Sequence, residues 1–339
     1  GLYIYLELTM LVILISAIKE KKAWSLSYLV FFSILCIVVS FWRTESFFYM
    51  LFACVLVFFI NKDVISIKKK IVSAAIILVG FLCINSFQNF LTGNDSYKVM
   101  SLVRPCAELV RAADPVEDEK LISDIDKVLS VDIIYANPEA NGEILTHYHG
   151  VIRSDYSEKD YDEFFTAFMK MAIKYPGIVI EERMEVFISA TGITGESENN
   201  VTRAAELFLD GNNNTNALLV MDKGWFAFSP VFAKVRQYFI YLIGANMDNI
   251  AANAVKWLVW NSMIPIVILV AAWIELLIKR KWYMFAVCSA VLIRLPVVIL
   301  TQPTNWFMYF LSFYLLGYVY LLYKVLAIIK RRELKKETV

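Results

Sequence analysis

The chain is poor in charged residues, cysteine and histidine, and each shortage excludes a class of protein. Only 19% of its residues are Asp, Glu, Lys or Arg, whereas 59% are hydrophobic and the mean hydropathy is +0.57. These values exclude an ordinary soluble domain. Of five cysteines, only Cys106 lies outside an apolar run, which excludes a disulfide-rich exterior. No P-loop, Rossmann glycine fingerprint, H-E-x-x-H or G-x-S-x-G motif occurs, which disfavours cytoplasmic nucleotide chemistry.

Long apolar runs are what the sequence does contain. Most approach the roughly 20 residues that a helix needs to cross a bilayer core, and only helices satisfy the backbone there without closing a barrel. The sequence therefore predicts an all-α polytopic membrane protein with about seven transmembrane helices. Because the first run is already under way at Gly1, we expect the amino-terminal part to be missing. The runs are 1–18, 24–42, 46–61, 71–91, 257–278, 282–300 and 305–329.

Basic residues lie at alternate ends of these runs. Fifteen Lys and Arg residues occupy segments 19–22, 62–70, 279–281 and 330–336, against Arg43 and Lys256 at the opposite ends. The positive-inside rule places the basic segments, including the carboxyl terminus, in the cytoplasm. We expect a multi-pass plasma-membrane protein with four parts: helices 1–4 in 1–91, an extracytoplasmic domain in 92–256, helices 5–7 in 257–329 and a basic tail in 330–339.

The long segment between the fourth and fifth runs is too long for a structureless loop and is predicted to be a mainly helical domain. Residues 91–255 carry 25 acidic and 14 basic side chains, so nucleic acid is not an expected partner. Ser157 is a predicted cap for a helix reaching Tyr175. Pro176-Gly177 then predicts a corner before a second helix, and Pro115–Leu129 a further one. The apolar face predicted after Ser157 comprises Phe164, Phe165, Phe168, Met169 and Ile173.

Arg294 is the costliest residue in this pattern, because it lies inside the sixth run, about 12 Å from the outer end at 1.5 Å per residue. One interpretation is an arginine that snorkels outward or bonds carbonyls of a neighbouring span. The other is a cation facing an outward-open cavity, where its planar fork suits an anionic head group.

Further candidates lie at the same predicted outer surface. Arg43 and Glu45 lie in the connection between the second and third runs. They either face a substrate or form an exposed ion pair of little energetic value. Gln302, Asn305 and Tyr309 lie just beyond Arg294 and offer amides and an aromatic plane to a sugar, although an interfacial aromatic belt also explains Tyr309.

His147 and His149 are the two histidines, and their spacing would let both imidazoles approach one divalent ion. A lone H-x-H is a weak signal, and solvated loop histidines are the alternative interpretation.

Five motifs of the sequence carry a resemblance to a known family. They are Phe41-Trp-Arg-Thr-Glu-Ser-Phe47, Arg104-Pro-Cys-Ala-Glu-Leu-Val-Arg111, Tyr135-Ala-Asn-Pro138, Lys174-Tyr-Pro-Gly177 and Pro303-Thr-Asn-Trp-Phe-Met-Tyr-Phe310. With these motifs the chain resembles the GT-C superfamily of membrane glycosyltransferases, in particular a bacterial group related to protein O-mannosyltransferases and lipid A aminoarabinose transferases. The resemblance implies a polyprenyl-phosphate-linked sugar donor and transfer to a cell-envelope acceptor at the outer face, without a nucleic-acid partner.

In that superfamily an acidic residue of the first outer loop acts as base, and no such loop is seen in this chain. The resemblance therefore implies that Glu45, with Arg43, borders the reaction zone, and that Arg294 meets the lipid phosphate as it leaves. Membrane lipid is a further expected partner. A non-enzymatic transporter, or a polysaccharide export and assembly protein, is the alternative, because an intramembrane charge suits either class.

Overall fold

The computed structural model describes residues 2–19, 23–43, 46–92, 97–193, 257–302 and 307–337. Within these ranges the chain is helical and forms no β-strand, apart from an isolated bridge between Leu129 and Ile152. The helices are α1 (Leu2–Lys19), α2 (Leu26–Trp42), α3 (Phe48–Phe59), α4 (Ile67–Thr92), α5 (Tyr97–Ala112), α6 (Glu119–Asp126), α7 (Val131–Ala136), α8 (Gly142–His147), α9 (Glu158–Lys174), α10 (Pro176–Thr191), α11 (Met263–Ile278), α12 (Trp282–Leu292), α13 (Arg294–Thr301), the 3₁₀ turn η1 (Phe307–Tyr309) and α14 (Leu311–Glu337).

Every predicted apolar run contains a helix, which confirms the all-helical prediction over the described residues. Among the described residues, three helical stretches are long and apolar enough to cross a membrane, namely Ile67–Phe87, Trp282–Thr301 and Leu311–Lys330. The other apolar helices are shorter, with 16 residues in α11 and 12 in α3. The structure thus supports three of the seven predicted spans by length and composition.

The apolar helices pack with their basic segments at one end, which we call the basic end. Trp24 donates its backbone N–H to Val64 O at 2.9 Å, and Lys69 Nζ donates to Trp24 O at 2.5 Å. Tyr283, at the start of α12, donates its hydroxyl to Leu14 O in the second half of α1 at 3.1 Å. The helices therefore alternate in direction, as short connections between neighbours require.

Proline and glycine shape the packing of α11 to α14. Pro296 has no N–H for the carbonyl of Leu292, and its ring crowds that carbonyl, which explains the interruption at Ile293 between α12 and α13. Gly317 in α14 lies so close to Pro265 that a Cβ there would collide with the Pro265 carbonyl oxygen. A larger residue at 317 would separate α11 and α14.

Helices α5 to α9 share a hydrophobic core of their own, built from residues such as Val103, Leu129 and Phe164. The predicted cap is confirmed: Ser157 Oγ accepts from Asp160 N, and the Asp160 carboxylate accepts in return from Ser157 N. The predicted corner is confirmed too, since α9 ends at Lys174 and α10 begins at Pro176.

The predicted apolar face of α9 is wrong in part. Phe164 and Phe168 are buried, together with Ala167 and Met171, whereas Phe165, Met169 and Ile173 are exposed. Both sets follow helical spacing, so the periodicity could not tell which stripe meets the core.

Two joints between these helices use motifs that the sequence singled out. Arg111 Nη2 donates to the carbonyls of Asn137 at 2.8 Å and Ala140 at 2.9 Å, and so ties α5 to the turn after α7. Lys174 and Tyr175 donate to the two oxygens of Asp118, at 2.8 and 2.6 Å, and so tie the α9–α10 corner to the start of α6. These motif residues stabilise the fold of this part of the chain.

The chain divides into two compact units. The first unit comprises residues 1–183, 265–303 and 312–339, and thus includes α1 to α9. The second comprises 184–264 and 304–311. In the described part of the second unit, Ser262 N donates to Thr191 O at 2.8 Å, and Phe187 packs edge-on against Phe310.

Two adjacent phenylalanines provide a test of the α9 packing. Phe164→Ala should destabilise the protein by about 3–5 kcal/mol, because it leaves a cavity among fully buried residues. The control Phe165→Ala, at a side chain that is 42% exposed, should change stability by less than about 0.5 kcal/mol. Denaturant unfolding of the two variants in detergent checks the difference, and equal losses would contradict this packing.

The Asp118 joint predicts a pH dependence. The hydrogen bonds from Lys174 and Tyr175 lower the pKa of Asp118, so its stabilisation is complete above the unfolded aspartate pKa of about 3.9 and is lost as pH falls through the lower folded value. Thermal unfolding of the wild type and Asp118→Asn across this range should give curves that converge at acidic pH. A constant difference down to the lowest pH would show that folding does not lower the pKa of Asp118.

Candidate functional site

A buried cluster of polar side chains centres on Glu7 in α1. Its oxygen Oε1 accepts from Arg294 Nη1 at 2.5 Å and from the Tyr49 hydroxyl, and Oε2 accepts from Ser312 Oγ at 2.5 Å. Arg294 Nη1 also lies 3.2 Å from the Tyr49 oxygen. The cluster therefore joins α1, α3, α13 and α14.

Aromatic rings surround the Arg294 guanidinium. Its Cζ lies 5.6 Å from the ring centroid of Tyr3, 5.3 Å from that of Tyr49 and 5.6 Å from that of Phe313. Cation–π attraction of this kind strengthens when water is excluded. A charge at 1% exposure is tolerable because the Glu7 carboxylate and these ring faces replace its hydration.

The cluster lies toward the end of the bundle opposite the basic end. Tyr49 and Ser312 are in the first turns of α3 and α14, and Glu7 lies in the second turn of α1. The Tyr3 hydroxyl bonds Ser46 Oγ at 2.6 Å, and Ser46 N donates to the carbonyl of Arg43 at the end of α2. The α2–α3 connection is thus directly tied to the cluster.

A second charged group lies beyond the end of α13. Arg183 of α10 is buried, and its Nη1 donates to the carbonyls of Leu300 at 3.3 Å and Gln302 at 2.9 Å. A cation suits the negative end of the helix dipole. Glu182 accepts from Arg183 and also lies 3.0 Å from Arg104 Nε of α5. These contacts fix α5 and α10 against α13.

Gln302 lies directly beside this group with an unsatisfied side chain. The residue is 1% exposed, and neither atom of its amide has a hydrogen-bond partner among the described residues. Burial of an unpaired amide costs about 1–3 kcal/mol, so such a group in a native protein needs an explanation. A ligand that supplies one acceptor and one donor would satisfy it.

The structure differs from the predicted environment of Arg294. The residue is 1% exposed, and its guanidinium pairs with the Glu7 carboxylate inside the bundle, a partner that neither interpretation of the sequence included. Arg43 is half-buried at the end of α2, and Tyr309 is half-buried in η1, which belongs to the second unit. The predicted residues Glu45 and Asn305 lie outside the described residues.

The two histidines are both exposed, His147 at the end of α8 and His149 in the turn after it. Over the described ranges, no group of three or more His, Cys, Asp or Glu side chains is arranged to hold a metal ion. The predicted divalent site therefore gains no further ligand from this part of the chain.

Glu7 is the functional candidate that the sequence interpretation missed. A carboxylate within the first apolar run is as costly there as Arg294 is in the sixth, and that shared cost is the signal that could have paired them. Tyr49, Ser312 and Arg183 carry no comparable signal, since hydroxyls at helix ends and arginines in a polar segment are common.

Comparison with known proteins yields no relative: no family model, no curated protein and no solved structure matches the chain.

The Glu7–Arg294 pair predicts strong coupling between two residues 287 positions apart in the sequence. Glu7→Gln or Arg294→Gln alone should destabilise the protein by about 3–5 kcal/mol, because each leaves an uncompensated buried charge. The double variant should be more stable than the sum of the single losses predicts. Thermal unfolding in detergent completes the cycle, and additive losses would show that the two charges do not interact.

Proposed function

We propose that this protein is a membrane glycosyltransferase that moves a sugar from a polyprenyl-phosphate donor to a cell-envelope acceptor at the outer face of the plasma membrane. The unsatisfied amide of Gln302, buried beside the Arg183 guanidinium at the end of α13, carries this proposal. A sugar hydroxyl offers both a donor and an acceptor to an amide. The GT-C resemblance of the sequence supports the same class of reaction.

We propose all seven apolar runs as membrane spans. At 1.5 Å per residue, α1 and α2 reach about 26 Å, close to the bilayer core of about 30 Å. The 12 residues of α3 reach only about 18 Å, a mismatch that local thinning of the bilayer accommodates. Exposed apolar side chains, such as Val79, Leu82 and Phe87 along α4, suit contact with lipid.

Sidedness follows from the charge of the two ends. The basic end lies in the cytoplasm by the positive-inside rule, so Arg43, the Glu7–Arg294 cluster and Gln302 lie toward the outer face. The helices α5 to α9 are then extracytoplasmic, since α4 leads into them from that side. In this arrangement they cover the outer end of the bundle and select the acceptor.

We infer the roles of Glu45 and Arg43 from the GT-C resemblance, and those of Gln302 and Arg294 from their surroundings. Glu45 acts as the general base toward the acceptor hydroxyl, and Arg43 binds the donor phosphate at the membrane surface. The buried amide of Gln302 contacts the sugar. Arg294 is a positioning residue, because its charge is already neutralised by Glu7, and it fixes the helix that ends at Gln302.

Export or transport of an envelope polysaccharide is the second candidate function. The buried network of Glu7, Arg294, Tyr49 and Ser312 favours it, because ionisable groups inside a bundle commonly mark a transport pathway. Export moves the sugar polymer without forming a glycosidic bond, whereas a transferase releases polyprenyl phosphate.

Gln302→Met separates a binding role from a structural one. Methionine fills a similar volume without the unsatisfied amide, so the variant should be as stable as the wild type or more stable. Transfer of radiolabelled sugar from polyprenyl phosphate in membranes should fall by about tenfold, the value of one lost hydrogen bond in the reaction complex.

Thr301→Val serves as the matched control, because the Thr301 side chain is exposed and bonds only within its own helix, to the carbonyl of Val297. It should leave transfer unchanged. If wild-type membranes form no labelled product but labelled polymer still crosses them, the transferase is contradicted and export is favoured. Equal transfer by wild type and Gln302→Met would remove Gln302 from the site.

A further inference from the structure

The turn between α11 and α12 carries three consecutive cations, Lys279, Arg280 and Lys281. Lys281 N donates to Leu276 O and Arg280 N to Leu277 O, both at 3.0 Å, so α11 ends in a Schellman motif. Arg280 occupies the position of that motif that requires a positive φ, and its φ is 54°. Glycine fits this conformation without strain, so arginine is an energetically poor choice for the turn itself.

The charges of this turn differ in how they are compensated. Lys279 Nζ bonds Glu275 Oε1 at 2.6 Å, and Lys324 Nζ bonds the same carboxylate at 2.6 Å. Arg280 and Lys281 are exposed, and neither has an ion-pair partner in the part of the chain that the structure describes. The turn therefore presents at least two uncompensated positive charges.

Apolar side chains flank these charges on both sides. Ile278 at the end of α11 is 74% exposed, and Trp282 at the start of α12 is 60% exposed. Exposed tryptophan at the end of an apolar helix is typical of the membrane interface. Cations next to large exposed apolar side chains match one partner in both charge and polarity, namely a lipid with an anionic head group.

We propose that the Lys279–Lys281 turn binds the head group of an anionic phospholipid, whose acyl chains lie against Ile278 and Trp282. The basic end has two further exposed cations, Lys62 and Lys68, which raise the local concentration of anionic lipid. The exposed carboxylate of Asp63 offsets one of these charges. This lipid is a structural partner and is independent of any transferase activity. Arginine at position 280 then exchanges backbone strain for a bidentate contact with phosphate.

Fluorescence quenching of Trp282 tests the proposal on the full chain in phosphatidylcholine vesicles. Brominated phosphatidylglycerol or brominated phosphatidylcholine is added as the quencher, and subtraction of the Trp282→Phe signal isolates this tryptophan. The wild type should show stronger quenching by phosphatidylglycerol, and Arg280→Gln should reduce that preference by about fivefold, the value of one cation near an anionic surface.

Three variants separate charge from backbone strain. Arg280→Lys keeps the charge and the backbone strain, so it should retain most of the preference for phosphatidylglycerol. The control Lys159→Gln, on α9, should retain all of it. Arg280→Gly should reduce the preference as much as Arg280→Gln does, yet unfold at a temperature about 2 °C higher in phosphatidylcholine alone, because glycine relieves the positive φ.

Equal quenching of the wild type by both lipids would overturn the proposal, as would an undiminished preference in Arg280→Gln. Inorganic phosphate should lower the preference no more than chloride at the same ionic strength. A selective effect of phosphate would show that the turn binds a free anion, and it would likewise overturn the assignment to lipid.

Discussion

The ion pair between Glu7 and Arg294 is the constraint on which the bundle depends. Two opposite charges at 1% exposure or less are stable only together, because neither can recover its hydration inside an apolar environment. Satisfying both requires α1 and α13 to lie side by side at one register. The carboxylate also accepts hydrogen bonds from the hydroxyls of Tyr49 and Ser312, which adds α3 and α14 to the same layer.

This layer gives the protein one polar end and one basic end. Lysines hold the basic end by donating to helix carbonyls, as Lys70 does to Phe58 O at 2.9 Å. At the other end, Arg183 makes the same kind of contact with the last carbonyls of α13. Cations at helix carboxyl termini thus recur at both ends, where they pair with carbonyls that have no partner within the helix.

The motifs that suggested a glycosyltransferase divide into two groups when placed in the structure. Arg111, Asn137, Lys174 and Tyr175 tie helices α5 to α10 together, so their pattern is explained by folding. Arg104 pairs with Glu182 at the polar end, where a donor would bind in the proposed transferase.

The amino-acid sequence by itself determined the local structure of this protein. The lengths of the apolar runs predicted the helices, and the alternating basic segments predicted which helix ends lie together. Ser157 predicted the start of α9, and Pro176 predicted the start of α10. All of these depend on residues within one or two turns of each other, or on composition.

The tertiary structure decided which side chains meet. Arg294 needed a partner on physical grounds, but nothing near it in the sequence identifies Glu7, which lies 287 positions away. Similarly, Phe164 and Phe165 begin two stripes of equal apolarity on α9, and only packing against α5 and α6 selects the first for burial. Periodicity and hydropathy report on one helix at a time, whereas partner choice depends on the geometry of several helices together.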